Sequence, residues 1–293
     1  MRGAEGPLNS RHLDEILRLD PVRDHQRIVH LDVCYEFPWD TTRSLELALF
    51  RTFAVPSIAR LLDSTGEFAR AAQKRYDDTD LIISTILEDG YDSETGRRAL
   101  RRMNQIHARF EIANEDFLYV LSTFVFEPIR WNKRFGWRLM VEAERLATFH
   151  CWREIARRMN IRDLPETYEA LERFNIEYEG RHFARSEQTR RVGSDGRELF
   201  AAWFPRPLRP AVRRGIYALL DERLREAFGF PPPPSVLRKT VAAGLQARAK
   251  ALRVFPPRRR PRLRTRLRRR AYPGGWSIET LGPPPASSSS RAA

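Results

Sequence analysis

Apolar residues along this chain recur at spacings of three and four rather than two, the period of helices packed on a core. From about Thr41 to Leu62, the residues Leu45, Leu49, Phe50 and Phe53 mark one helical stripe, which Pro56 should kink or divide near Ala54. A second helix is predicted over 69–88, ended by Asp89-Gly90. Ser93 followed by acidic Glu94 is a helix-start signal, and the helix it opens carries Leu100, Met103, Ile106, His107 and Phe110. Asn114-Glu115-Asp116 repeats that signal ahead of Leu118, Leu121, Val125 and Phe126, with Pro128 terminating or bending the helix. Gly136 separates it from an amphipathic helix over 137–159, and further helices are predicted over 166–187, 210–228 and 236–252. Gly193 and Gly196 give 191–197 the look of a turn or loop, and Pro231–Pro234 that of an extended connector. Alternation of period two never persists over several strands. The pattern therefore predicts an all-α fold, with one domain over 20–255. A flexible polar segment, 1–19, precedes it, and a disordered Arg/Pro/Ser-rich tail, 256–293, follows it.

Composition supports a globular chain and relocates its charge. Of 293 residues 42% are hydrophobic, and 17 Phe, 8 Tyr and 6 Trp can fill a core or line a pocket for an apolar ligand. The net charge of +14 would prompt a search for polyanionic partners, but ten arginines lie between Arg253 and Arg270. Removing those ten leaves about +4, an ordinary surface balance, so basicity belongs to the tail. Such a tail suits electrostatic attachment to anionic lipid or to nucleic acid, or is simply solvated. Poor interleaving with aromatics argues against nucleic acid and leaves peripheral membrane contact. Cys34 and Cys151 cannot form a disulfide framework in so long a chain, which suits a reducing compartment. No stretch approaches the roughly 20 apolar residues of a spanning helix, and the first residues lack a secretory pattern. The expected location is cytoplasmic.

The common nucleotide and hydrolase motifs are absent: there is no phosphate-binding loop, no Gly-x-Gly-x-x-Gly, no His-Glu-x-x-His and no Gly-x-Ser-x-Gly. What remains is chemistry held by single side chains. His107 lies on the inward stripe of its helix, where a neutral imidazole can serve as the one axial ligand of a haem iron. A core histidine satisfied by a backbone carbonyl would give the same pattern. Thr123 interrupts an apolar run, so its hydroxyl should return to a backbone carbonyl or face a cavity. Glu127 and Arg130 stand three apart, suited to a helix-end ion pair or to an arginine reaching a haem propionate. The aromatic cluster Tyr35-Glu36-Phe37-Pro38-Trp39 suits a pocket edge or a packed helix start equally.

Several strings carry a resemblance: Arg102-Met-Asn-Gln-Ile-His107-Ala-Arg-Phe110, Ile112-Ala-Asn-Glu-Asp-Phe-Leu-Tyr119 and Phe126-Glu-Pro-Ile-Arg-Trp131. With them stand Tyr35-Glu-Phe-Pro-Trp39, Phe50-Arg-Thr-Phe-Ala-Val-Pro56 and Phe228-Gly-Phe-Pro231. In this order, over Asp20 to Phe255, the chain resembles the MpaB-type and latex-clearing (rubber) oxygenase family. That resemblance implies a globin-like helical fold, haem b as cofactor, and oxidative cleavage of C=C bonds in an apolar isoprenoid or lipid-like substrate. His107 matches the position of the iron-ligating histidine. On that reading Arg130 contacts the cofactor, and Arg102 and Thr123 supply polarity near the reacting groups. The rival reading is a non-catalytic helical binding protein whose Arg-rich tail docks on membrane or nucleic acid.

Overall fold

The computed structural model describes residues 11–283 and contains thirteen α-helices, with no strand among those residues. The all-α expectation holds. The long stripe from Thr41 is divided by Pro56 into α3 (Pro38–Thr52) and α4 (Pro56–Thr65), each beginning with a proline in its first turn. They follow α1 (Arg11–Ile16), α2 (His25–Leu31) and a π-helical turn, Asp32–Glu36. Next come α5 (Glu67–Asp89) and α6 (Glu94–His107), where the Ser93 hydroxyl accepts from the Gly96 N–H as an N-cap should.

The centre of the domain is α7 (Asn114–Phe135), about 33 Å long at 1.5 Å per residue. It packs on α3 along one side and on α8 (Glu142–Arg158) and α9 (Tyr168–His182) along others. Leu118, Leu121, Phe124, Val125 and Phe126 join the larger apolar core, built with α2, α5, α6 and α8. Tyr119 points into a second core around Phe50, Phe53, Tyr178 and Phe228. That second core is closed by α10 (Glu187–Ala202), α11 (Arg209–Leu219) and α12 (Glu222–Ala227), and α13 (Ser235–Leu252) packs against α11 and α7.

Pro128, which the sequence allowed either to terminate or to bend its helix, lies inside α7 and does not end it; Asn132 Nδ2 donates to the Pro128 carbonyl at 2.9 Å while the helix runs on to Phe135. Other local expectations fail for tertiary reasons. Asn114 does not cap its helix, because its side chain exchanges hydrogen bonds with the Arg162 backbone instead. Residues 137–141 are not helical. Arg138 there turns inward to Glu36 and Glu144, and α8 starts only at Glu142. The predicted loop 191–197 is the middle of α10, because its glycines serve packing: a Cβ at Gly193 would stand 2.5 Å from the Phe228 ring. A Cβ at Gly196 would come within 2.9 Å of Phe50.

Both termini are more ordered than their composition suggests. Residues 11–19 are not a flexible lead: Leu13 and Ile16 of α1 are buried, and Ile16 belongs to the main core. Residues 1–10 and 284–293 lie outside the described residues. The expected disordered tail is, over 256–283, a strap laid along α5. Arg264 donates to Asp80 at 2.7 Å, Thr265 to Glu88 at 2.5 Å, Tyr272 to Asp78, and the Ala271 N–H to Asp77 at 2.9 Å. Further along, Ile278 and Leu281 are buried in the main core. The row of acids on α5 is what captures the arginines, a complementarity that composition alone does not show.

Two stability predictions follow from this packing. Gly193→Ala should destabilise by about 1–3 kcal/mol despite the better helix propensity of alanine, because the buried Phe228 ring must shift; chemical denaturation reads it. Deleting residues 256–293 removes two buried aliphatic side chains worth roughly 1.5–3 kcal/mol each. The truncated chain should therefore melt markedly lower, whereas loss of a merely solvated tail would leave the melting temperature unchanged.

Candidate active site

His107 is the last residue of α6, and its ring packs edge-on against Phe117 of α7 at a centroid distance of 5.2 Å. Nδ1 is shut off from solvent and has no hydrogen-bond partner among the described residues. Burial, reinforced by the nearby Arg75 charge, pushes its pKa down to about 4. The imidazole is therefore neutral at physiological pH, the form a metal ion requires. The backbone-satisfied core histidine that the sequence also permits is not what stands here.

Arg75 of α5, which sequence reasoning passed over, is the second member. Its guanidinium lies over the Phe68 ring at 5.2 Å and makes no ion pair among the described residues. Burial pushes its pKa down, with Glu67 and Asp78 compensating in part. Both Arg75 and His107 retain some accessible surface although burial is the main cause of both shifts. The end of the strap lies against the same stretch of α5 and α6. Lys74 donates to the Gly282 carbonyl at 2.8 Å, Arg102 Nε to that of Leu281 at 2.7 Å, and Arg109 to that of Pro283 at 3.1 Å. Lys74 and Ile106 are the chain neighbours of Arg75 and His107. The signal in the sequence was an arginine within a helical stripe, indistinguishable from a surface cation until its surroundings are known.

The other predicted residues are spread along the bundle. Arg102 shares α6 with His107, about 7.5 Å nearer its start, and its Nε is already engaged by the strap. Thr123 is fully buried, and its hydroxyl donates to the Val120 carbonyl at 2.6 Å, one of the two fates the sequence allowed. Arg130 stands about 20 Å along α7 from Phe117, the residue that His107 touches. There it donates to Glu127 at 2.9 Å and to Asn175 at 2.8 Å, tying α7 to α9. The structure joins His107 and Arg102 to one neighbourhood and places Arg130 in another.

A third polar centre lies under the π-helical turn. Arg138 is fully enclosed and donates to Glu36 at 2.7 Å and Glu144 at 2.5 Å. Asp32 beside them borders an apolar pocket with Phe37, Leu87, Phe124, Trp152 and Asn132. Neither Asp32 oxygen finds a hydrogen-bond donor among the described residues. Burial first, then Glu144, holds this carboxyl far above the ordinary carboxylate range. Glu36 of the aromatic cluster is thereby a structural partner of Arg138. Among the described residues no group of three or more His, Cys, Asp or Glu side chains could hold a metal ion.

One imidazole whose Nδ1 has no partner and one guanidinium without an ion pair thus stand in the same part of an all-helical domain. Residues 44–254 match the family described as ER-bound oxygenase mpaB/B'/Rubber oxygenase, catalytic domain, and the chain belongs to that family. It is 25% identical over 242 residues to ER-bound oxygenase mpaB' of Penicillium brevicompactum, an alignment covering 76% of this chain and 57% of that protein. It is 26% identical over 210 residues to ER-bound oxygenase mpaB of Penicillium roqueforti (strain FM164), covering 66% of this chain and 70% of that protein. The alignment thus spans little more than half the length of the Penicillium brevicompactum mpaB' protein. Among the described residues no helix is long and apolar enough to cross a membrane.

The depressed pKa of His107 has a measurable consequence in the cofactor-free chain. Between pH 6.5 and about 4 the unfolded chain binds a proton that the folded chain refuses. The stability tied to the neutral ring should be complete above pH 6.5 and be lost as pH falls toward 4. Melting temperatures measured across that window should slope less in His107→Gln than in the parent.

Proposed function

We propose that this domain is a haem-b-dependent oxygenase acting on an apolar unsaturated substrate, isoprenoid or lipid-like, by oxidative cleavage of a C=C bond. The observation that carries the reading is the His107 imidazole, neutral and with Nδ1 unpartnered, beside the unpaired Arg75. Family membership supports oxygenase chemistry. The relatives are named ER-bound oxygenases and the family model includes rubber oxygenase, which suits a substrate of low polarity.

Haem, when bound, supplies an iron centre for dioxygen chemistry. The chain's own residues do the rest. His107 would hold the haem iron, and its low pKa keeps the ring unprotonated across the physiological range. Arg75 offers a desolvated guanidinium, with no ion pair among the described residues, for a propionate or another anionic group. Arg102, held by the strap through Nε, keeps its terminal nitrogens for the same role. Phe117 fixes the ring plane of His107 by edge-on packing. The strap, tied to Lys74, Arg102 and Arg109, would limit water entry from its side. Thr123 spends its proton on a backbone carbonyl and presents only acceptor lone pairs. Arg130 acts as a tie between helices.

The test is an absorption spectrum of the purified full chain after haem b is supplied. The expected result is a Soret band at about one haem per chain. It should be lost in His107→Ala, and Arg75→Leu should weaken haem affinity by roughly 10-fold or more. A chain that takes up haem equally well without His107 would overturn the ligand assignment.

A further inference from the structure

Once the strap and the candidate active site are accounted for, one surface keeps a large charge with no counterpart. From Ala227 to Ile278 the chain has fourteen Lys and Arg residues and not one Asp or Glu. Three of the fourteen are neutralised on the domain: Arg248 pairs with Asp40, and Arg264 and Arg269 share Asp80. Lys250, Arg258, Arg259 and Arg260 are exposed and make no ion pair among the described residues. They are nevertheless carried on a fixed backbone. The Arg258 carbonyl meets His12 Nε2 at 2.9 Å, and the Arg262 N–H donates to the Cys34 carbonyl at 2.9 Å. The loop is thus pinned at both ends while its guanidinium groups face solvent.

Apolar side chains project among these cations. Val254 is 83% exposed and Phe255 65%, at the end of α13 and just before Pro256-Pro257. Two prolines hold the following backbone extended and prevent the helix from continuing. Leu139, 65% exposed, belongs to the same face, because Arg253 Nε donates to the Trp137 carbonyl at 2.6 Å, two residues before it. A solvated tail or a plain polyanion patch has no use for exposed Val, Phe and Leu. An apolar tip ringed by Lys and Arg matches an anionic bilayer, with phosphates for the cations and acyl chains for the tip.

We propose that the end of α13 and the 253–260 loop, with Leu139 beside them, form a docking surface for an anionic phospholipid bilayer. Val254 and Phe255 enter the headgroup region, and Lys250, Arg258, Arg259 and Arg260 contact lipid phosphates. The surface is independent of whether the domain holds a cofactor. For a substrate that partitions into lipid, it would seat the domain at its source.

The experiment is sedimentation of the full chain with phosphatidylcholine vesicles, with and without phosphatidylglycerol, at two salt concentrations. The expected outcome is binding about tenfold or more stronger to the anionic vesicles, weakening with added salt. Val254→Asp with Phe255→Asp should cut that affinity about tenfold or more, as should Arg259→Glu with Arg260→Glu. All four residues are exposed, and thermal melts check that the variants stay folded; Val254→Ser with Phe255→Ser replaces the first pair if it does not. Equal affinity for neutral and anionic vesicles would overturn the proposal. So would anionic binding that is indifferent to the Val254 and Phe255 changes, or tighter binding to a DNA duplex that displaces vesicles.

Discussion

The domain is organised around a guanidinium that cannot be left alone. Arg51, near the end of α3, is almost fully buried, and burial opposes its charge. Glu127 of α7, Glu179 of α9 and Asp221 at the start of α12 more than offset that cost, holding its pKa well above normal. Tyr119 donates to the same Glu179 carboxylate at 3.1 Å, and Arg130 returns a second positive charge to Glu127. Removing one partner from such a cluster leaves a stranded buried charge, at a cost of about 3–5 kcal/mol. The ion cluster therefore fixes how α3, α7, α9 and the α11–α12 turn meet. The two apolar cores on either side of α7 can only form in the register it allows.

Polar demand of the same kind recurs wherever the bundle departs from simple helix packing. Arg138 leaves the helical path to reach Glu36 and Glu144, which opens the chain at 137–141 and shortens α8. The acids on α5, from Asp77 to Glu88, draw in Arg264, Thr265, Ala271 and Tyr272 and convert a basic segment into a wall of the domain. Against that background, His107 and Arg75 are exceptions. The His107 Nδ1 has no hydrogen-bond partner and Arg75 no ion pair among the described residues, and the two Asp32 oxygens are likewise without a donor. Such unmet polar capacity in a folded interior calls for an explanation.

Much of this was legible in the chain. The helical period, the Pro56 division, the Ser93 cap and the position of His107 on an inward stripe all follow from local rules, and the observed helices agree. Family membership was legible from the Arg102–Phe110, Ile112–Tyr119 and Phe126–Trp131 strings. Arg75 was not, because a lone arginine in a helix has no local mark that separates a solvated cation from an enclosed one. Gly193 and Gly196 were misread as a turn, since a glycine chosen for close approach to Phe228 and Phe50 looks the same in sequence as one chosen for backbone freedom. Arg130 read as a helix-end ion pair with Glu127 ahead of a cofactor contact, and it makes that ion pair together with a hydrogen bond to Asn175.

By itself the sequence determined most of the helices, the all-α class and the family. The helices and the class depend on periodicity and capping, which act over a few residues. Tertiary structure alone decided which charges are enclosed, which arginines of the basic run are captured, and which remain outside. Those outcomes are set by residues 100 or more positions away: Asp80 for Arg264, Asp40 for Arg248, Glu179 for Arg51. Charge and burial are pairwise properties of the fold, and in these three pairs the two members come from distant stretches of chain.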